Sequence, residues 1–83
     1  METVEVNVRF FGPVAAKAGI KEMTMPIRVQ RGLGVEDIRA VVKDKAGDQI
    51  LFSILCNGVS IDLKDDDFKQ GDEVRVVPVV LGG

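Results

Sequence analysis

Histidine, tryptophan and tyrosine are absent from this chain, and cysteine occurs once. Without histidine there is no imidazole general base, no Ser-His or Cys-His pair and no imidazole ligand for a transition metal. One cysteine supplies neither an internal disulfide nor a zinc site, and it fits a reducing cytoplasm. A self-contained enzyme is therefore not expected, nor a resident metal or stably bound cofactor. Positive charge is scarce too. Eleven Lys and Arg against 13 Asp and Glu leave a net charge of −2, which argues against a nucleic-acid partner. No apolar run has the length of a membrane span. Met1-Glu2-Thr3-Val4-Glu5 puts acidic residues where a signal peptide carries basic ones. The expected location is the cytoplasm.

What the chain does have is aliphatic bulk. Apolar residues make up 46% of its 83 positions, enough for one modest core without staples. Phe10, Phe11, Phe52 and Phe68 must fill that core together with the many Val, Ile and Leu residues.

Thr3 to Phe10 alternates, with Val4, Val6, Val8 and Phe10 on one side and Thr3, Glu5, Asn7 and Arg9 on the other. Period two over this length predicts a half-buried strand. Gly12-Pro13 breaks it, leaving room for about one helical turn over Val14-Ala15-Ala16-Lys17-Ala18 before Gly19. Met23, Met25, Ile27 and Val29 alternate again and predict a second strand paired back as a hairpin. Pro26 lies inside it, which assigns this strand to an edge.

Val35 to Ala46 is the only sustained helical pattern, with Val35, Ile38, Val42 and Ala46 on one stripe widened by Val41. Glu36 and Asp37 suit its positive end, and Lys43 and Lys45 its negative end. Gly34 is expected as the N-cap and Gly47 as the stop. A covered strand is predicted over Ile50 to Cys56. Asn57-Gly58 then supplies a type I′ hairpin turn, and Val59 to Asp62 a short return strand. Lys64-Asp65-Asp66-Asp67-Phe68 reads as an irregular turn that plants Phe68 in the core. Gln70-Gly71-Asp72 makes the last turn before a strand over Glu73 to Val77. The order is ββαβββ, an α+β pattern with one main helix packed on a mixed sheet of four to five strands. First and last strands, separated by the whole chain, are free to lie side by side and parallel.

Few residues offer chemistry. Cys56 sits in an apolar strand without an adjacent base and reads as a buried, inert thiol. Asp65-Asp66-Asp67 lacks the alternating pattern of a calcium loop and reads as a solvated turn. Arg39, Lys43 and Lys45 form a weakly basic helix face offset by Glu36 and Asp44, and Met23 and Met25 read as core or edge cover. The end of the chain differs. Pro78 cannot donate to a ladder, so regular pairing is expected to fade there. Val79, Val80 and Leu81 either lead outward as an apolar segment suited to a receiving groove or fold back onto the sheet so that only Gly82-Gly83 fray. Gly82-Gly83 then ends the sequence without side chains, able to thread a narrow channel. This division sets a domain over 1–78 and an extended tail over 79–83.

Val8-Arg9-Phe10-Phe11-Gly12, Gly19, Val35-x-Asp37-Ile38, Asn57-Gly58, Gly71-Asp72-Glu73-Val74 and Pro78 before Gly82-Gly83 together resemble the MoaD/ThiS family of ubiquitin-like sulfur carriers. The resemblance covers essentially the whole chain in order, and its last thirteen residues are the most specific part. It implies a β-grasp fold with the last strand central beside the first. It also implies an activity: a separate E1-like adenylyltransferase uses ATP and magnesium to adenylate Gly83, and sulfur then displaces AMP to leave a thiocarboxylate. The length and the Phe-Phe-Gly stretch lean toward the molybdopterin-synthase small subunit. That implies the synthase large subunit, or an equivalent acceptor enzyme, as receiver and a cysteine desulfurase system as sulfur donor. Pro78, Val79, Val80, Leu81 and Gly82 would line the partner's channel. Two departures keep alternatives open. Val79 stands where a second proline is frequent, and Leu81 where a small residue usually precedes Gly-Gly. A carrier for thiamine, cysteine or tRNA thiolation, or a ubiquitin-like modifier joined to proteins through Gly-Gly, fits the same residues.

Overall fold

The computed structural model describes residues 2–30, 32–47, 49, 51–60 and 68–79. The expected strand start at Ile50, the strand end at Ile61 and Asp62, the acidic turn over 64–67 and the tail residues Val80, Leu81, Gly82 and Gly83 lie outside them. The alternation of the first segment forms β1 (Thr3–Phe10), followed by α1 (Gly12–Ala18), β2 (Glu22–Arg28), α2 (Leu33–Ala46), β3 (Phe52–Cys56), β4 (Val59–Ser60) and β5 (Glu73–Pro78). The strands make one sheet in the order β2-β1-β5-β3-β4, so among the described residues β2 and β4 are its edges. Pro26 thus lies on an edge, as its missing N–H requires.

β1 and β5 are parallel neighbours at the centre, with Val8 opposite Val74 and Phe10 opposite Val76; β1–β2, β3–β5 and β3–β4 are antiparallel. The chain ends of the fold therefore interlock, and a crossover carrying α2 joins the two halves. α2 lays Ile38, Val42 and Ala46 on the face formed by Val6, Val8, Phe10, Ile54, Cys56, Val74 and Val76, and Phe68 is also buried in this core. Asn57 and Gly58 both have positive φ, 50° and 86°, as the hairpin turn between β3 and β4 demands.

Three local expectations are corrected. α1 is seven residues long, not one turn, because Pro13 occupies its first turn, where a missing N–H costs nothing. Gly19 closes it with φ 74°, its N–H donating to the Ala15 carbonyl at 2.9 Å. Gly34 is not the N-cap of α2. Gly32 is, with φ 81°, and Gly34 lies buried within the first turn. A Cβ there would sit 2.8 Å from the Arg28 carbonyl oxygen and 3.1 Å from the Phe68 ring, so a close approach is what selects glycine. Finally, pairing does not fade at Pro78: it lies opposite Phe52, and the Val79 N–H donates to the Leu51 carbonyl at 3.2 Å. Val79 and Asn57 fix which β5 amides face β3, namely those of the odd positions. The missing N–H of Pro78 therefore faces the β1 side, where the β1–β5 pairing has ended at Phe10 and Val76. No ladder bond is lost.

Candidate functional site

β5 holds the root of the tail between two partner strands. Its β3 side is paired to Val79, and on its β1 side the Phe11 N–H donates to the Val76 carbonyl at 3.1 Å. Beyond that point β1 turns into α1 at Gly12, whose φ of 56° swings the chain across Pro78; a Cβ on Gly12 would stand 3.5 Å from the Pro78 ring. Pro78 is half-buried and Val79 is 40% exposed. Of the sequence-derived site residues, these two are placed at the end of the central strand. Val80, Leu81, Gly82 and Gly83 fall outside the described residues.

The sheet face turned away from the helices leads up to this root. Alternation along each strand puts Arg9 on it from β1, Glu73, Arg75 and Val77 from β5, and Ser53 and Leu55 from β3. Register lines these up in rows. Leu55, Arg75, Arg9 and Glu22 run across four strands, and Ser53 sits opposite Val77 in the next row. Phe11 and Leu51, 40% and 59% exposed, extend the apolar part of the surface toward Val79. Arg9 meets Glu22 at 3.4 Å and Arg75 meets Glu73 at 2.9 Å, each through Nε. Beside Phe11 the end of β1, α1 and the start of β2 enclose an open recess of about 620 Å³, bordered by Arg9, Gly12, Ala15, Lys21 and Glu22. The residue-by-residue reading assigned Arg9 to the outer side of its strand but did not assemble this face. Assembling it needs the parallel β1–β5 register.

The other candidates are placed elsewhere. Cys56 is 1% exposed, with Sγ 3.8 Å from Asp72 Oδ2. The same carboxylate accepts the Lys69 N–H at 2.9 Å and its other oxygen accepts from Asn57 at 3.2 Å, which makes this end of the sheet a structural junction. Met25 is core and Met23 packs against it. Arg39, Lys43 and Lys45 are exposed on α2. Among the described residues no group of three His, Cys, Asp or Glu could hold a metal, and no helix is long and apolar enough to cross a membrane.

No protein-family model and no curated protein sequence matches the chain. Solved structures do. A Pyrococcus furiosus protein described as molybdopterin converting factor subunit 1 superposes with a TM-score of 0.71 at 24% identity, over 93% of this chain and 99% of that one. Small archaeal modifier protein 1 from Methanosarcina acetivorans gives 0.70 at 25% identity over 100% of both chains. The Haloferax volcanii modifier of the same name gives 0.71 at 17% identity, over 93% of this chain and 99% of that one. Two helices on a mixed five-stranded sheet, with the last strand central beside the first, make this the ubiquitin-like β-grasp fold in its MoaD/ThiS-like form.

Proposed function

We propose that this chain is a ubiquitin-like carrier whose Gly83 carboxyl is charged by other enzymes. The observation that carries the reading is the position of β5. The strand that leads to Gly82-Gly83 is held by β1 as far as Val76 and by β3 as far as Val79, so the body acts as a handle that presents the end of the chain. A carboxylate with a pKa near 3.5 is anionic at pH 7 and a poor electrophile. Activation is therefore the step the chain must obtain from outside. An E1-like adenylyltransferase supplies it with ATP and magnesium: the Gly83 carboxylate displaces pyrophosphate to give an acyl adenylate. A persulfide from a cysteine desulfurase system displaces AMP to give an acyl disulfide, and a second thiol cleaves the S–S bond, leaving the thiocarboxylate and a new disulfide. The thiocarboxylate on Gly83 delivers its sulfur to a molybdenum-cofactor precursor in the large subunit of molybdopterin synthase, in the cytoplasm. Val80, Leu81 and Gly82 pass through the partner's channel, with Pro78 and Val79, still paired to β3, at its mouth. The likeness to the Pyrococcus furiosus converting-factor subunit supports this assignment.

Incubation with the activating enzyme of the source genome, ATP, magnesium and a sulfur donor tests it. Intact-mass analysis is expected to show one oxygen exchanged for sulfur at Gly83. An unchanged mass under conditions that charge that enzyme's own adenylation site overturns the reading.

A second reading, a protein modifier, is supported by the full-length likeness to the Methanosarcina acetivorans modifier and by Leu81 before Gly-Gly. It shares the adenylation step and differs in the acceptor, a lysine amine. Isopeptide-linked conjugates carrying Gly83 on lysine, found by peptide mass mapping of host lysate, select it over sulfur transfer.

A further inference from the structure

Asn57 fastens the β3–β4 turn to the start of the central strand. Its backbone N–H donates to the Glu73 carbonyl at 2.9 Å, and its Oδ1 accepts the Glu73 N–H at 3.2 Å. Its Nδ2 donates to Asp72 Oδ1, also at 3.2 Å. Asp72 passes the connection on: Oδ2 accepts the Lys69 N–H and lies 3.8 Å from the Cys56 thiol, and its carbonyl accepts the Asn7 N–H of β1 at 2.9 Å. The amide that makes this fastening is also the more perishable of the two asparagine amides in the chain. Gly58 follows it, with no side chain to shield its nitrogen and open space where a Cβ would stand. Both residues are exposed, and an open recess of about 320 Å³ bordered by Asn57, Gly58, Glu73 and Arg75 brings water to them. Asn7, by contrast, lies half-buried inside β1 ahead of the buried, β-branched Val8.

We propose that Asn57 is a site of spontaneous deamidation, and that its conversion unfastens the turn from Asp72 and opens Cys56 to solvent. The Gly58 nitrogen gives up its proton and bonds to Asn57 Cγ, while the former Nδ2 leaves as ammonia. The cyclic imide so formed takes up water at one of its two C–N bonds. One opening leaves aspartate at position 57. The other leaves isoaspartate, whose main chain runs through the former side chain and is longer by a carbon atom. Neither product keeps the Nδ2 donor. Aspartate sets a second carboxylate against Asp72 where a donor stood, adding like-charge repulsion to the lost hydrogen bond. Isoaspartate lengthens a tight turn whose register depends on the positive φ values of 50° at Asn57 and 86° at Gly58. In the native turn both amide atoms are held, by Asp72 and Glu73, so reaction proceeds from the opened turn and the intact fold slows it. Water is the only co-reactant, and the chemistry is independent of the carrier reading.

The test ages the full chain in mildly alkaline buffer, with and without urea, and follows it by peptide mass mapping. The native protein is expected to exchange NH for O at residue 57, with aspartate and isoaspartate both present and Asn7 unchanged. The rate should be about ten- to a hundredfold higher in urea, where the turn is always open. Asn57→Gly keeps the positive φ and should show no exchange at this position. The aged protein, separated by its added negative charge, should react at Cys56 with a thiol reagent about tenfold faster than unaged protein. Its Lys69 and Glu73 amides should lose protection from hydrogen exchange. Asn57→Asp should reproduce both changes without ageing; if that variant does not fold, the aged wild type carries the measurement. Native protein still unconverted at residue 57 when the urea sample is complete overturns the proposal. So does conversion at Asn7 instead, or a converted protein in which Cys56 and Lys69 are as protected as before.

Discussion

Asp37 grips Arg28 by both its main chain and its side chain: Oδ2 accepts the Arg28 backbone N–H at 2.9 Å, and Oδ1 accepts from the guanidinium at 2.6 Å. The Phe10–Lys21 and Val29–Glu2 bonds show that the odd positions of this edge face β1. The Arg28 amide therefore points outward, where Asp37 covers it, and two residues earlier Pro26 has no amide to expose. One helix residue and one proline blunt the β2 edge against pairing with another chain.

The guanidinium hydrogen bond holds the Asp37 carboxyl below its usual value of 3.8 and raises Arg28 in turn. A depressed carboxylate pKa contributes stability that is complete above about pH 3.8 and is lost as pH falls through the lower folded value. Asp37→Asn is expected to cost roughly 1–3 kcal/mol near neutral pH. The gap from wild type should narrow below pH 3.8, read by urea unfolding across pH. A gap constant down to the acid limit contradicts the assignment.

Gly34→Ala is expected to destabilise even though alanine is the better helix former, because the new methyl meets the Arg28 carbonyl and the Phe68 ring. The cost should be about 1–3 kcal/mol, typical of overpacking. Pairing it with Phe68→Leu should recover part of the loss, a coupling that a double-mutant cycle measures.

The Cys56 thiol is 1% exposed beneath the sheet end. Its modification by a thiol reagent should run at least about a hundredfold slower in the native protein than in urea, since access requires opening of the core. Rapid native labelling would mean that this end opens easily.

Gly82→Ala and Gly83→Ala should leave the unfolding midpoint unchanged and strongly reduce charging of the terminus. A blocked extension beyond Gly83 that cells cannot trim should abolish it. Normal charging of either alanine variant, followed by intact mass, removes the narrow-channel account.

The elements were legible along the chain because each announces itself locally. Thr3 to Phe10 alternates, Ile38, Val42 and Ala46 repeat at helical spacing, Asn57-Gly58 demands positive φ, and Pro26 assigns its strand to an edge. Phe68 was readable as an anchor because it is a lone aromatic after a run of aspartates. Glycine misled at position 34, where it serves a close packing contact that no local rule reveals. Proline misled at 78, where the effect depends on which neighbour its missing N–H faces. Those two outcomes, the Asp37–Arg28 grip and the placing of Arg9 opposite Arg75 are decided only when segments distant in sequence pack together. Local propensity is written in neighbouring residues, whereas pairing across β1 and β5 is set by how the whole core closes over α2.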